Sequence, residues 1–170
     1  MTWCVFVIGY LRIGQPQTAH VMFNKSYQAN IRPPFATWDE CGHKKTAAGA
    51  YNMSGGCTDH FVTGPGGFLQ SITHGYGGVR LSDDALTLRP SLPENTDRLT
   101  LRRFAYLGVG LSLEVNANGI VLEALLERSA EESHVPQLEV TSAGSNGFKR
   151  LQPGQPLRFG VGVSLTVRAV

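Results

Sequence analysis

Charge is scarce in this chain: Lys and Arg number 15 and Asp and Glu 13 among 170 residues, for a net charge of +2. Spread so thinly, the basic residues leave no stripe or patch of the kind that nucleic acid requires, and doublets such as Lys44-Lys45 and Arg102-Arg103 are explained by surface solvation. Cysteine is rarer still. Cys4, Cys41 and Cys57 are an odd number with no dense framework around them, which excludes a disulfide-stapled scaffold and points to free thiols in a reducing compartment, with a cytoplasmic location as the expectation. Long hydrophobic runs are missing too. The apolar start from Trp3 to Leu11 has nine residues, less than half of what a bilayer crossing needs, so no membrane partner is expected. It lacks both the cationic region before it and the small-residue cleavage site after it that mark a targeting segment. No repeat recurs at solenoid spacing.

What the chain does contain is the material of a folded domain. At 42% hydrophobic residues it can bury one sizeable core, and disorder is not expected. Trp3 to Leu11 is apolar on every face, as in a helix surrounded by other protein, and a chain of this length offers few partners for it, so an upstream portion is expected to be missing. Gly14 can end that helix and Pro16 can open a second one, with Ala19, Met22, Phe23 and Tyr27 on one stripe, making an αα-hairpin. Pro33-Pro34 stops it and turns Phe35 to Glu40 into an extended strip. A short helix capped by Thr63 and closed by Gly75 carries Phe68, Leu69 and Ile72.

After Gly77 the period changes to two. Val79-Arg-Leu81, Leu86-Thr-Leu88, Leu99-Thr-Leu101, Leu111 to Val115 and Val161 to Val167 read as half-buried strands. Pro90 and Pro93, Asn118-Gly119, Gly144 to Gly147 and Pro153-Gly154 separate them with turn chemistry, so an antiparallel β-sandwich over about 78–170 is the expected architecture.

Between these parts, Cys41 to Gly64 is rich in Gly, Ala, Ser and Thr without any sustained period, and a loop of that length inside a compact domain usually serves a site. The glycines at 64, 66 and 67 open a helix as phosphate-binding turns do. No Lys-Ser or Lys-Thr comes after them, however, and close backbone packing accounts for them equally well. Cys41, His43, Cys57 and His60 would together offer two sulfurs and two nitrogens, a set zinc accepts, but the spacing is not that of a finger and no finger core surrounds it. An ordinary loop is the simpler reading, and neither metal nor cofactor is expected. His20, His74 and His134 read as structural or surface histidines.

Phe61-Val-Thr-Gly-Pro-Gly-Gly-Phe-Leu-Gln70 together with His74-Gly-Tyr-Gly-Gly-Val-Arg-Leu81 resembles the helix and strand that join barrel to C-terminal domain in glycoside hydrolase family 65. Asp84-Ala-Leu-Thr-Leu-Arg-Pro90-Ser-Leu-Pro93 is similar to the first hairpin of that C-terminal domain, and Asn24-Lys-Ser-Tyr27 with Pro34-Phe-Ala-Thr-Trp-Asp-Glu40 resembles the final barrel segment. The likeness covers roughly residues 1 to 115; beyond them it is one of generic strands. It implies an α+β fragment in which residues 1–77 form the last helices of an (α/α)6 barrel with an active-site loop, and 78–170 an accessory antiparallel β-sandwich.

The resemblance also implies a chemistry. Family members are phosphorylases or inverting hydrolases of α-glucosides, and only the hydrolases need a carboxylate base to activate water opposite the leaving group. Hydrolase members carry a Glu after an aromatic and a small polar residue here, so Glu40, next after Trp38-Asp39, is the implied base. Asp39 stands where the family has Thr or Ser, and a shift of one position would make Asp39 the base instead. Trp38 either stacks on a sugar or belongs to the core. The general acid is expected upstream, in the missing N-terminal barrel portion. The implied substrate is an α-glucosyl carbohydrate or glycosylated hydroxylysine, since Thr63 to Gln70 is most similar to members that trim collagen-type disaccharides. The isolated chain is then expected to be inactive. A hypothesis of another class is a non-catalytic β-sandwich module, left by truncation, that binds sugar or protein.

Overall fold

The computed structural model describes residues 2–32, 34–40, 60–125 and 136–170, together with the backbone of 44–45 and 51–52. The chain divides into two compact units, Met1–Gly75 and Tyr76–Val170.

The first unit begins with an αα-hairpin, α1 (Trp3–Arg12) and α2 (Pro16–Tyr27). Gly14, at a φ of 75°, supplies the left-handed turn between them, and Pro16 begins α2 with its φ already helical. The helices meet through Cys4 and Val7 on α1 and Ala19 and Phe23 on α2, all buried. Elsewhere on α1, Trp3, Val5 and Phe6 are exposed. Past α2 the chain forms a small antiparallel ribbon, β1 (Ile31–Arg32) with β2 (Thr37–Trp38), turned by Ala36 at a φ of 54°. Of the expected extended strip, then, only its centre is strand. A second ribbon pairs β3 (Lys44–Lys45) with β4 (Tyr51–Asn52).

Helix α3 (Thr63–Gln70) runs on into a π-helical turn, Ser71–Tyr76. Two expectations change here. Thr63 is the first helical residue, not a cap, and the position before it, Val62, makes no side-chain cap bond. Gly75 does not close the helix but lies in the π-turn, packed against Leu11 of α1. The left-handed residue is Gly78, at a φ of 63°, where a Cβ would stand 2.1 Å from the Arg89 carbonyl oxygen.

The second unit is a β-sandwich of two antiparallel sheets. One has the order β11 (Lys149–Arg150), β10 (Leu138–Ser142), β13 (Leu165–Ala169), β6 (Leu86–Leu88), β5 (Val79–Leu81). The other has the order β12 (Leu157–Phe159), β9 (Gly119–Ala124), β8 (Val109–Asn116), β7 (Arg98–Tyr106). Alternation fixes the faces: Leu86 and Leu88, Leu165 and Val167, Leu138 and Val140 point inward from the first sheet, and Leu111, Leu113, Val115, Ile120 and Leu122 from the second, all buried. The last strand starts at Leu165, not Val161; the residues before it are turn, with Gly162 at a φ of 72°. Strand β7 is a sheet edge, and its pairing with β8 slips between Leu101 and Phe104. Arg102 and Arg103 form that bulge, exposed and with Arg103 at a φ of 55°. This basic doublet thus guards an edge against pairing with another chain.

Candidate active site

The candidate residues of the first unit gather at the end of β2. The Trp38 ring is half-buried, 5.5 Å from the ring of Phe68, which in turn lies 5.2 Å from Phe23 and 5.5 Å from Tyr27. Helix α3 comes so close to the indole that a Cβ on Gly64 would lie 2.4 Å from its Cδ1 and 2.5 Å from its Nε1. The Phe61 N–H donates to the Trp38 carbonyl at 2.9 Å, tying the start of α3 to the same strand. The glycines at 64 and 67 are therefore packing devices: a Cβ on Gly67 would stand 3.3 Å from the Cys4 sulfur, and only Gly66 of the three opens onto free space.

The two adjacent carboxylates have opposite surroundings. Asp39 is 4% exposed, and its Oδ2 pairs with the Arg32 guanidinium across the β1–β2 ribbon. Glu40 is exposed. Asn30, just beyond α2, holds the backbone between them: its Nδ2 donates to the carbonyls of Asp39 at 2.8 Å and of Glu40 at 3.3 Å, and its own carbonyl accepts the Asp39 N–H at 2.8 Å. Trp3, Cys4, Ser26, Asn30, Trp38, Asp39 and Glu40 border one cleft of about 10 Å³, room for about one water molecule and not for a sugar ring. Sequence reasoning missed Asn30 and Arg32, because the signal for them is not a motif but the pairing of β1 with β2.

Cys4 reaches this cleft from α1. Burial pushes its thiol pKa up, opposed in part by a hydrogen bond with Ser26. The remaining candidates are dispersed. His60 and His74 are exposed, and His20 is bonded to Asn24 through Nε2 at 2.9 Å. Cys41, His43, Cys57 and His134 lie outside the described residues. Among the described residues no three His, Cys, Asp or Glu side chains group as metal ligands, and no helix is long and apolar enough to cross a membrane.

No protein-family model matches the chain. Similarity to individual proteins is nonetheless extensive. The chain is 30% identical over 159 residues to a protein-glucosylgalactosylhydroxylysine glucosidase of Mus musculus, covering 94% of this chain and 21% of that protein. It is 30% identical over 102 residues to a kojibiose hydrolase of Mucilaginibacter mallensis, 59% of this chain and 13% of that protein. In three dimensions it matches a putative kojibiose phosphorylase from the human microbiome with a TM-score of 0.59 and 14% identity, over 94% of this chain and 19% of that one. The chain thus spans about a fifth of the length of the curated relatives it matches over most of its own length. The structural match supports the fold alone.

Proposed function

Because the chain is related to the glycoside hydrolases of family 65, we propose that it forms the C-terminal part of an inverting α-glucoside hydrolase in which Glu40 is the general base. In this reading residues 1–77 are the last helices of the (α/α)6 barrel with part of its active site, and 78–170 are the accessory sandwich. The chemistry assigns each group one task. A carboxylic acid on the upstream barrel portion protonates the leaving glycosidic oxygen, while Glu40 takes a proton from a water that attacks the anomeric carbon from the opposite face. Such a pair stands about 6.5–9.5 Å apart.

The observation that carries the choice of base is the contrast between the two neighbouring acids. Asp39 is buried and already committed to Arg32, whereas Glu40 is exposed at the rim of a one-water cleft. Trp38, in this reading, borders the glucosyl site and gives its ring a double use, one edge in the aromatic cluster and the other toward substrate. The substrate class is an α-glucosyl carbohydrate, with glycosylated hydroxylysine favoured by the names of relatives matched over most of the chain. A free buried thiol at Cys4 accords with a cytoplasmic setting. The alternative of a free-standing sandwich module is disfavoured, because the similarity takes in the helical unit as well as the strands.

The test supplies this chain with the barrel polypeptide of a family member and measures α-glucoside hydrolysis. Glu40→Gln is expected to cut turnover roughly 10²–10⁴-fold with little change in KM, and Asp39→Asn much less. Azide added to Glu40→Ala is expected to yield a β-glucosyl azide, because the anion enters from the side opposite the leaving group. A silent Glu40→Gln together with an inactive Asp39→Asn would move the base to Asp39, and silence of both would end the hydrolytic reading.

A further inference from the structure

A general base is effective only when its carboxylate is held within tenths of an ångström of the attacking water, and a shift of about 1 Å can cost on the order of 10²-fold in rate. Glu40 does not obtain that precision from its strand. The β1–β2 ribbon contains two residue pairs, Ile31 with Trp38 and Arg32 with Thr37, and Glu40 lies two residues past its last strand residue, on an exposed bend. A ladder this short, turned by a non-glycine residue at positive φ, is too weak to fix the residues beyond its end.

We propose that Asn30 is the positioning residue for Glu40, fixing the direction of its Cα–Cβ bond from the end of α2; the proposal rests on the reading of Glu40 as the base. Three hydrogen bonds join Asn30 to the two-residue segment 39–40, two from its side-chain amide and one to its backbone carbonyl. Asn30 is itself anchored, since its N–H donates to the carbonyl of Tyr27, the last residue of α2, at 2.9 Å. Tyr27 is held in turn by its ring contacts with Phe23 and Phe68. A continuous line of contacts therefore runs from the aromatic cluster through Asn30 to the backbone carbonyl of Glu40. The Arg32–Asp39 pair closes the same segment from the ribbon side, so its two residues are gripped at side chain and main chain while the Glu40 carboxylate stays exposed. The side chain suits the task because a planar amide can give both of its hydrogens to two successive carbonyls, which neither a carboxylate nor an aliphatic group can do.

Two measurements test this. In the 170-residue chain, Asn30→Ala is expected to speed hydrogen exchange of the Asp39 amide at least tenfold while the Ala19 amide, inside α2, keeps its rate. Asn30→Asp, which keeps the shape but turns an oxygen toward two carbonyls, is expected to do the same. An unchanged Asp39 amide in both variants overturns the proposal whatever the activity. In the enzyme assembled with its barrel polypeptide, Asn30→Ala is expected to lower kcat about 10- to 100-fold with KM unchanged. In the Glu40→Ala background supplied with azide, it is expected to do nothing further, since there is no base left to aim. An equal loss in both backgrounds would mean that Asn30 merely supports the fold and would refute positioning alone. Full activity of Glu40→Ala without azide would instead refute the base reading on which the proposal stands.

Discussion

Trp38 shows how one side chain sets the requirements of its neighbours. Its indole occupies the space that a side chain at position 64 would need, and Phe68 stands on another side of it. Gly64→Ala is therefore expected to lower the stability of the helical unit by about 1–3 kcal/mol, the usual cost of overpacking. Gly66→Ala, two residues on along the same helix and opening onto free space, is expected to be neutral or to stabilise by about 0.5–1 kcal/mol, because alanine costs less chain entropy in a helix. Thermal melts of the two variants, with tryptophan fluorescence as the probe, distinguish a packing requirement from a mere glycine-rich composition; equal melting temperatures would count against the Trp38 contact. Cys4 provides a pH signature for the same unit. Burial keeps its thiol protonated in the folded state past the pH at which an unfolded cysteine ionises. The folded state then binds the extra proton, so the contribution of Cys4 is at its best below that pH and is lost as pH rises above it. Denaturant midpoints from pH 7 to 10 are expected to fall less steeply for Cys4→Ala than for the parent, and identical slopes would sink the argument. At this scale the sequence was legible for identity but not for environment. It offered Asp39 and Glu40 as adjacent candidates, and nothing in their order could reveal that Arg32, seven positions before Asp39, turns back across the ribbon to pair with it.

Elements were legible where local chemistry and long-range packing agree. Gly14 and Pro16 bound the αα-hairpin because a left-handed turn and a helical φ are properties of those residues themselves. Leu86 to Leu88 and Leu111 to Val115 are strands because strict alternation leaves no other use for their apolar faces. Where packing overrides the local signal, the reading fails. Strand β9, Gly119–Ala124, has Ile120, Val121 and Leu122 in succession, so its alternation is hidden and emerges only when it pairs with β8 and β12. Val161 to Val163 alternates well but contributes no strand, because Gly162 adopts a left-handed turn before Leu165 enters the sheet between β10 and β6. The end of α3 differs from expectation for a related reason: Gly75 looks like a helix terminator, yet its missing side chain is used for contact with Leu11 inside a π-turn. Helix α1 stands apart. Its all-round apolarity announced burial, and the described structure covers Cys4 and Val7 while leaving Trp3, Val5 and Phe6 open.

For the whole molecule, that uncovered face is the feature with the largest consequence. Val5 is 66% exposed and Phe6 48%. Val21 of α2 and Phe35 and Val62 of the loops add further exposed apolar side chains in the same unit. Soluble monomers rarely leave a contiguous apolar patch of more than a few hundred Å² without a partner for it. On the proposed reading the partner is the rest of the barrel, whose helices would pack against α1. In its absence, copies of the chain are left to cover one another. The isolated 170-residue protein is accordingly expected to self-associate in the micromolar range, with sedimentation or light scattering showing a mass that rises with concentration. Val5→Lys combined with Phe6→Glu, both on exposed positions, is expected to restore a monomer without changing the circular dichroism of the β-sandwich. The same double change is expected to weaken complementation by a family barrel polypeptide, since both events draw on one surface. A monodisperse monomer of the parent chain, with the amides of α1 well protected from exchange, would show that α1 is already satisfied and would remove the main physical reason for an upstream partner. Loss of self-association with complementation left intact would separate the two surfaces, and would place the barrel contact on some other part of the helical unit.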